Sequence, residues 1–319
     1  MSVPSTLIGL GTAAIGRPQY INIRQQQART FDYDEFYQRG LSILEQAYRL
    51  GIRYFDTAPG YGMAEQLLID WLKNNELVEA EVATKWGYTY TANFDPTATT
   101  HEVKEHSLAK LNEQWQQSQC LLPKLSTYQI HSATFETGVL ENQAVLERLF
   151  ELKTEAQLHI GLTTTGDNQV EVLRKALSIR MNGVDLFDAF QITYNVFDQS
   201  TFAMAREIVA KGKRVIVKEA LANGRVFPNE AYLHYNATYQ KLQALSQKYQ
   251  VGIDAVALRF CVDSLSPFVV LSGAASIKQL QENLLTATFQ LTVEEIASLR
   301  ALAIPATAYW EERKQLGWN

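Results

Sequence analysis

The stretch Tyr54-Phe55-Asp56-Thr57-Ala58-Pro59-Gly60-Tyr61-Gly62 decides the fold. Aromatic and β-branched residues favour an extended strand up to Thr57, and Pro59-Gly60 then turns the chain, so Asp56 and Tyr61 sit at the carboxyl end of a strand. Working outward, the run Glu81–Trp86 carries Lys85 near its end, and the run Thr127–His131 ends in His131. Four ionisable side chains thus terminate three successive strand-like runs. A phenol with an ordinary pKa of roughly 10 is a poor acid at neutral pH unless a cation stands beside it. Lys85 supplies the cation, Asp56 a carboxylate to hold it, and His131 an adjacent imidazole. The group reads as a tuned general acid.

The same alternation continues along the whole chain. Further strand candidates are Leu7–Leu10, His159–Thr163, Ala189–Tyr194, Arg214–Lys218 and Phe268–Leu271, which makes eight. Between them lie stretches of helical period: Phe36–Leu50, Ala64–Asn74, His101–Gln117, Gln143–Ala156, Gln169–Ile179, Thr201–Lys211 and Tyr239–Tyr249. Eight strand-helix cycles predict an α/β fold of the (β/α)8 TIM barrel type with extra C-terminal helices. A doubly wound open sheet is the alternative, but Gly9-Leu10-Gly11-Thr12-Ala13-Ala14 lacks the third glycine of a dinucleotide-binding turn. A barrel needs about 250 residues plus insertions, so 319 residues read as a single domain spanning 1–319. Residues 17–34 form a long first loop expected over part of the barrel mouth. Residues 276–319 form a C-terminal extension over the barrel, with Trp310 and Trp318 either lining a pocket or packing the tail onto the wall.

Composition narrows the function classes. Hydrophobic residues at 46% and charged residues at 20% suit an ordinary globular core, and disorder is not indicated. The net charge of −5, with scattered Lys and Arg, argues against nucleic-acid binding. No apolar run reaches the roughly 20 residues that cross a bilayer, and no basic-then-apolar leader opens the chain, so no membrane association is expected and the protein reads as cytoplasmic. Cys120 and Cys261 fit neither a disulfide framework nor a metal motif and read as packing residues.

Taken singly, Asp56 is a turn residue, Tyr61 a loop aromatic, Lys85 a strand-end side chain reaching for water and His131 an interior histidine. Their joint placement after consecutive strands favours catalysis, because in such barrels the site lies at the carboxyl ends of the strands.

Here the residues resemble a known family. Phe55-Asp56-Thr57-Ala58 with Tyr61-Gly62, Ala83-Thr84-Lys85, Gln129-Ile130-His131, Ile160-Gly161-Leu162-Thr163, Gln191-Ile192-Thr193-Tyr194-Asn195 and Ser272-Gly273 through Glu282-Asn283 stand in the order and spacing of the aldo/keto reductase superfamily. The resemblance covers nearly the whole chain. It implies reduction of an aldehyde, ketone or sugar carbonyl to the alcohol, or the reverse, by direct hydride transfer from a reduced nicotinamide without a metal. It assigns Tyr61 as proton donor, Lys85 as the group that lowers its pKa, Asp56 as the partner of Lys85 and His131 as the group that orients the carbonyl.

For the cofactor, NADPH or NADH, the resemblance implies Thr163, Thr164 and Gln191 at the nicotinamide amide. Lys218 stands where many members have a stacking aromatic, free to reach phosphate or an acidic group or to pair with Glu219. Ala220, Leu221, Asn223 and Gly224 would wrap the pyrophosphate. Gly273, Ser276, Lys278, Gln279, Glu282 and Asn283 would clasp the adenosine. A 2′-phosphate wants cations, and only Lys278 stands nearby, which weakens the case for NADPH. Tyr54, Trp86 and Trp310 are the substrate-contact candidates. The tail Tyr309-Trp310-Glu311-Glu312-Arg313 resembles the galactose-dehydrogenase-like branch. Two other functions fit a barrel with strand-end lysines: a Schiff-base aldolase or lyase using Lys85 or Lys218, and a nicotinamide-binding regulatory subunit with little turnover. Oligomeric state is left open.

Overall fold

Each of the eight strand-like runs becomes a barrel strand, shifted by two residues at most. The computed structural model describes residues 7–19, 22–23, 31–75, 79–95 and 97–318. In chain order the barrel strands are Ile8–Gly11, Tyr54–Asp56, Glu81–Trp86, Leu125–Ala133, His159–Thr164, Ala189–Thr193, Arg214–Lys218 and Val269–Ser272. All neighbours pair in parallel, and the last strand returns to the first, with Ile8 opposite Val270 and Leu10 opposite Ser272. Gln25-Gln26-Gln27, in the first loop, lies outside the described residues.

Side chains alternate across each strand, so two cores form. Tyr54, Ala83, Ala189, Ile216, Val269 and Leu271 cluster inside the barrel. The other face of the strands, with Phe55, Val82, Trp86, Ile130, Leu162 and Phe190, packs against the surrounding helices in a second, larger core. The helix Tyr33–Arg49 shows how the outer layer is specified. Asp32 caps it by accepting from the Glu35 N–H at 2.8 Å, worth about 1 kcal/mol, and Phe36, Ile43, Leu44 and Ala47 recur on its buried face.

Two crossovers depart from the sequence reading. The stretch His101–Gln117 is helical only over Leu108–Ser118, because Glu102–Lys104 pairs antiparallel with Tyr88–Tyr90 in a hairpin at the barrel mouth. Ser107 marks the true start, its hydroxyl accepting from the Lys110 N–H at 3.1 Å. Between the seventh and eighth strands there are two helices, Asn236–Tyr249 and Ile253–Leu265. Nearly every residue of the second is buried, Asp254 and Arg259 included, so its polar residues do not mark a solvent-facing stripe by which a helical period is recognised. After the last strand follow the helices Ile277–Leu284, Val293–Arg300 and Ala306–Lys314. Among the described residues no helix is long and apolar enough to cross a membrane. Cys261 is buried as expected of a packing residue, whereas Cys120 is exposed.

One buried carboxyl ties the outer layer to the third strand. Glu65, in the helix Ala64–Lys73, accepts from the Thr84 hydroxyl at 2.6 Å and the Ser118 hydroxyl at 2.9 Å. Burial outweighs these bonds and raises its pKa from 4.5 to about 7. The folded state therefore holds this proton more tightly than the unfolded chain does, and its contribution to stability is lost as pH rises through 4.5 to 7. Urea unfolding should show wild type losing on the order of 3 kcal/mol more than Glu65→Gln between pH 4.5 and pH 8. Parallel pH profiles for the two proteins would show that Glu65 is not the group responsible.

Candidate active site

Inward-pointing polar side chains replace apolar ones one layer above the Ala83, Ala189 and Ile216 level, at the carboxyl ends of the strands. Asp56 and Lys85 form an ion pair there, with side-chain exposures of 3% and 0%. Lys85 also donates to the Thr57 carbonyl at 3.0 Å. The second Asp56 oxygen accepts from the Gln191 amide at 2.8 Å and the Gln129 amide at 3.3 Å. Four strands thus supply one network through Asp56, Lys85, Gln129 and Gln191.

Tyr61 reaches this network from the loop after the second strand. Its hydroxyl lies 3.4 Å from His131 Nε2, and its ring centroid lies 4.8 Å from Lys85 Nζ. The loop is clamped by close backbone packing: the Met63 N–H donates to the Gly16 carbonyl at 2.8 Å, and Arg17 donates to the Gly60 carbonyl at 3.1 Å. No side chain fits at Gly16, where a Cβ would stand 2.2 Å from the Tyr61 carbonyl oxygen and 2.3 Å from the Ala64 Cβ. His131 is held from below, its carbonyl accepting from His106 Nε2 at 2.9 Å. The next residue, Ser132, has φ +53, a left-handed backbone conformation of the kind that concentrates at functional sites.

The electrostatics of Tyr61 and His131 run in opposite directions. Burial first, then the Asp56 carboxylate, pushes the Tyr61 phenol well above its ordinary pKa. The Arg17 guanidinium, 5.3 Å from the Tyr61 ring centroid, acts against this. His131 moves the other way. Burial, then the charges of Lys85, Arg17 and Lys218, holds its imidazole well below the usual range, so the ring is neutral near pH 7.

A chamber of about 300 Å³ opens above these groups, lined by Asp56, Tyr61, His131, Thr163, Gln191 and Lys218 among others. It joins a second cavity of about 560 Å³ along the barrel mouth. Ala220, Leu221, Asn223 and Gly224 form one wall of that cavity, and Gly273, Gln279, Glu282 and Asn283 the other. Asn22 and Ile23 of the long first loop also line it, and the Ile23 N–H donates to the Asn223 carbonyl at 3.2 Å. Lys218 donates to the Thr193 hydroxyl at 2.8 Å and lies 4.0 Å from Glu219.

Six expected residues fall elsewhere. Thr164 turns to the outer face and donates to Gln169 at 2.9 Å, leaving Thr163 and Thr165 on the chamber side. Ser276 caps the helix Ile277–Leu284, and Lys278 is 85% exposed beside Glu282, so neither lines the cavity. Tyr54 points inward but two residues before Asp56, one layer too deep, where it meets Phe268 edge-on. Trp86 follows inward-facing Lys85 and therefore points outward, edge-on to His106. Trp310 anchors the tail, its indole N–H donating to Asp198 at 3.1 Å.

Several chamber residues have no strand-end signal in the sequence. Tyr88 is the aromatic wall in place of Trp86, with its ring 4.6 Å from that of His131. Gly87, at φ +108, makes the turn that brings it there. Arg17 pairs with Glu102 at 2.8 Å and lies over the Trp318 ring, which stacks on His101. Arg313, from the tail helix, pairs with Glu219 at 3.0 Å. Burial alone would raise the Glu219 carboxyl, but Arg313 and Lys218 bring it down to about 2.

A model of the aldo/keto reductase family matches residues 7–304. The chain belongs to that family. This places it among oxidoreductases whose general chemistry is NAD(P)-dependent carbonyl reduction. It is similar to the NADH-specific methylglyoxal reductase of Escherichia coli, at 25% identity across 93% of this chain and 94% of that one. It is also similar to an uncharacterized oxidoreductase of Bacillus subtilis, at 27% identity across 82% and 87%, and to L-galactose dehydrogenase of Arabidopsis thaliana, at 24% across 87% and 86%. The fold matches that of an aldo-keto reductase from Bacillus halodurans with a TM-score of 0.68, at 23% identity over 94% and 92% of the two chains. The glycerol dehydrogenase of Gluconobacter oxydans matches at 0.69, with 19% identity over 95% and 92%. Among the described residues no group of His, Cys, Asp and Glu side chains could hold a metal ion.

The packing at Gly16 makes this aldo/keto reductase sensitive far from its reacting atoms. Gly16→Ala should cost about 1–3 kcal/mol in urea unfolding and lower the rate of carbonyl reduction, because the Tyr61 loop has to move to admit the methyl group. Unchanged stability and rate would show that the clamp is not needed.

Proposed function

We propose that this chain reduces a polar aldehyde, ketone or sugar carbonyl to the alcohol, with Tyr61 as proton donor and a nicotinamide dinucleotide held along the barrel mouth. The observation that carries the reading is the Tyr61 hydroxyl beside a neutral His131 Nε2, 3.4 Å away, in a chamber joined to an elongated cavity.

The residues present fit such a cofactor. The loop over Ala220, Leu221, Asn223 and Gly224 coils tightly, with positive φ at Glu219, Ala222, Asn223 and Gly224, and lines the cavity opposite Gly273, where an added Cβ would meet open space. Gln191 and Thr163 line the inner chamber, where they would hold the nicotinamide end. When bound, the reduced cofactor supplies the hydride that carbonyl reduction requires.

The protein's own part is proton delivery and orientation. A phenol whose pKa is raised keeps its proton until a stronger base appears, and an alkoxide forming on the substrate is such a base, so Tyr61 can donate to it. Neutral His131 has a ring N–H to offer the same oxygen and no charge that would compete for the proton. The Asp56–Lys85 pair, with Gln129 and Gln191, forms the hydrogen-bonded floor beneath them. Lys85 is engaged by Asp56 and Thr57, which disfavours its use as a Schiff-base nucleophile. The substrate chamber carries Arg17 with Glu102 and Lys218 with Glu219 and Arg313 on its walls. Such paired charges suit a small substrate rich in hydroxyl groups more than an apolar one.

Tyr61→Phe should lower reduction by about 10²–10⁴-fold, since only the proton donor is lost, with nucleotide affinity essentially unchanged. The check is loss of nicotinamide absorbance across a panel of aldehydes, ketones and sugars, with NADH and NADPH side by side. A variant that retains most of its turnover would remove Tyr61 from this role, and an inactive wild type that binds nucleotide would favour the regulatory-subunit reading.

A further inference from the structure

We infer that His106 and Gln114, which do not line the chamber, are positioning residues for carbonyl reduction: together they hold the His131 and Tyr88 rings in place beside the Tyr61 hydroxyl. The inference rests on the reductase reading above and adds what keeps its orienting imidazole in place.

A histidine that has to present one ring nitrogen is ordinarily oriented by a hydrogen bond at the other. His131 Nε2 lies 3.4 Å from the Tyr61 hydroxyl, but among the described residues its buried Nδ1 has no hydrogen-bond partner. The direction of the ring therefore comes from its backbone and from the ring it packs against. The backbone is pinned at two successive groups. His106 Nε2 donates to the His131 carbonyl at 2.9 Å, and the Ser132 N–H donates to the Thr163 hydroxyl at 2.7 Å. Burial, then Lys104, brings the His106 pKa down to about 4, so near pH 7 its ring carries a single N–H. The bond to a carbonyl requires that hydrogen on Nε2, which leaves Nδ1 to accept from the Thr137 hydroxyl at 3.0 Å.

The ring that packs on His131 is Tyr88, with centroids 4.6 Å apart, and Gln114 sets its place. The Gln114 side chain, 6% exposed, accepts from the Gly87 N–H at 2.7 Å and donates to the Tyr88 carbonyl at 2.8 Å. Both bonds grip the turn that brings Tyr88 to the chamber. His106 fills the space that a side chain at Gly87 would need, since a Cβ there would stand 2.3 Å from its Cδ2. The Tyr61 loop leans on the same tyrosine, because a Cβ at Gly60 would stand 2.9 Å from the Tyr88 Cβ. The start of the helix Leu108–Ser118 thus fixes His131, Tyr88 and the Tyr61 loop as one assembly.

Steady-state reduction by the full chain tests this, with rates scaled to the number of nucleotide-binding sites found by titration with NADH or NADPH. His106→Phe removes the donor and should lower kcat about 10- to 100-fold, with KM and nucleotide affinity within about threefold of wild type. His106→Gln keeps a donor and should recover most of the loss. Gln114→Met removes both of its bonds and should lower kcat in the same range, and it decides the matter by the same readings if His106→Phe does not fold. Variants that unfold at lower urea but keep the wild-type kcat per site would show a merely structural role and overturn the inference alone. His106→Gln as slow as His106→Phe would also overturn it. A wild type that binds nucleotide and reduces no carbonyl would overturn the reductase reading and this inference with it.

Discussion

A buried lysine-aspartate pair in the throat of the barrel is the constraint on which the site depends. Two isolated charges of this kind are costly in a protein interior, by several kcal/mol each after relaxation, and they persist only where further hydrogen bonds share the load. Here the load is shared by the Thr57 carbonyl on the lysine and by two amides, Gln129 and Gln191, on the carboxylate. Because these partners come from separate strands, the pair forms only when the barrel closes in one register. Below it the interior is apolar, around Ala83, Ala189 and Ile216, and above it opens the chamber lined by Tyr61, His131 and Lys218. The pair is the boundary between them.

Burial, and then the carboxylate of this pair, holds the Tyr61 phenol well above its ordinary pKa, and the Arg17 guanidinium acts in the other direction. The surrounding loops add charge in compensated sets: Arg17 with Glu102, Arg313 and Lys218 with Glu219, Arg225 with Glu312. Three of those residues come from the tail or from the first loop. The tail helix is seated by Trp310 on Asp198 and by the Tyr309 hydroxyl, which accepts from the Asn195 amide at 3.0 Å. Thus the elements added to the simple barrel set the charge of the chamber without touching its floor.

Much of this was legible in the sequence, for a physical reason. Strand-end residues follow the strict period of two, so Asp56, Lys85, His131, Thr163 and Gln191 could be placed on the inner face from their position in each run. The same rule, applied one residue further, rules out Trp86 and Thr164, and applied to depth it rules out Tyr54. The family resemblance places Lys278 and Ser276 in the site, but a helix turns its residues through a full circle, and these two face solvent or the cap. Arg17, Tyr88, Glu102 and Arg313 were not legible, because they arrive from loops, a hairpin and a tail whose paths no local periodicity encodes. The helix Ile253–Leu265 was hidden for the opposite reason, being buried on nearly every side, its polar residues Asp254 and Arg259 included.

The central claim is that Asp56 and Lys85 act as one unit that supports both the barrel and the chamber around Tyr61. A double-mutant cycle of Asp56→Asn, Lys85→Met and the pair, followed by urea unfolding, tests it most directly. Each single change should cost about 3–5 kcal/mol by stranding a buried charge, and the double change should cost far less than their sum. Strictly additive losses would contradict the account.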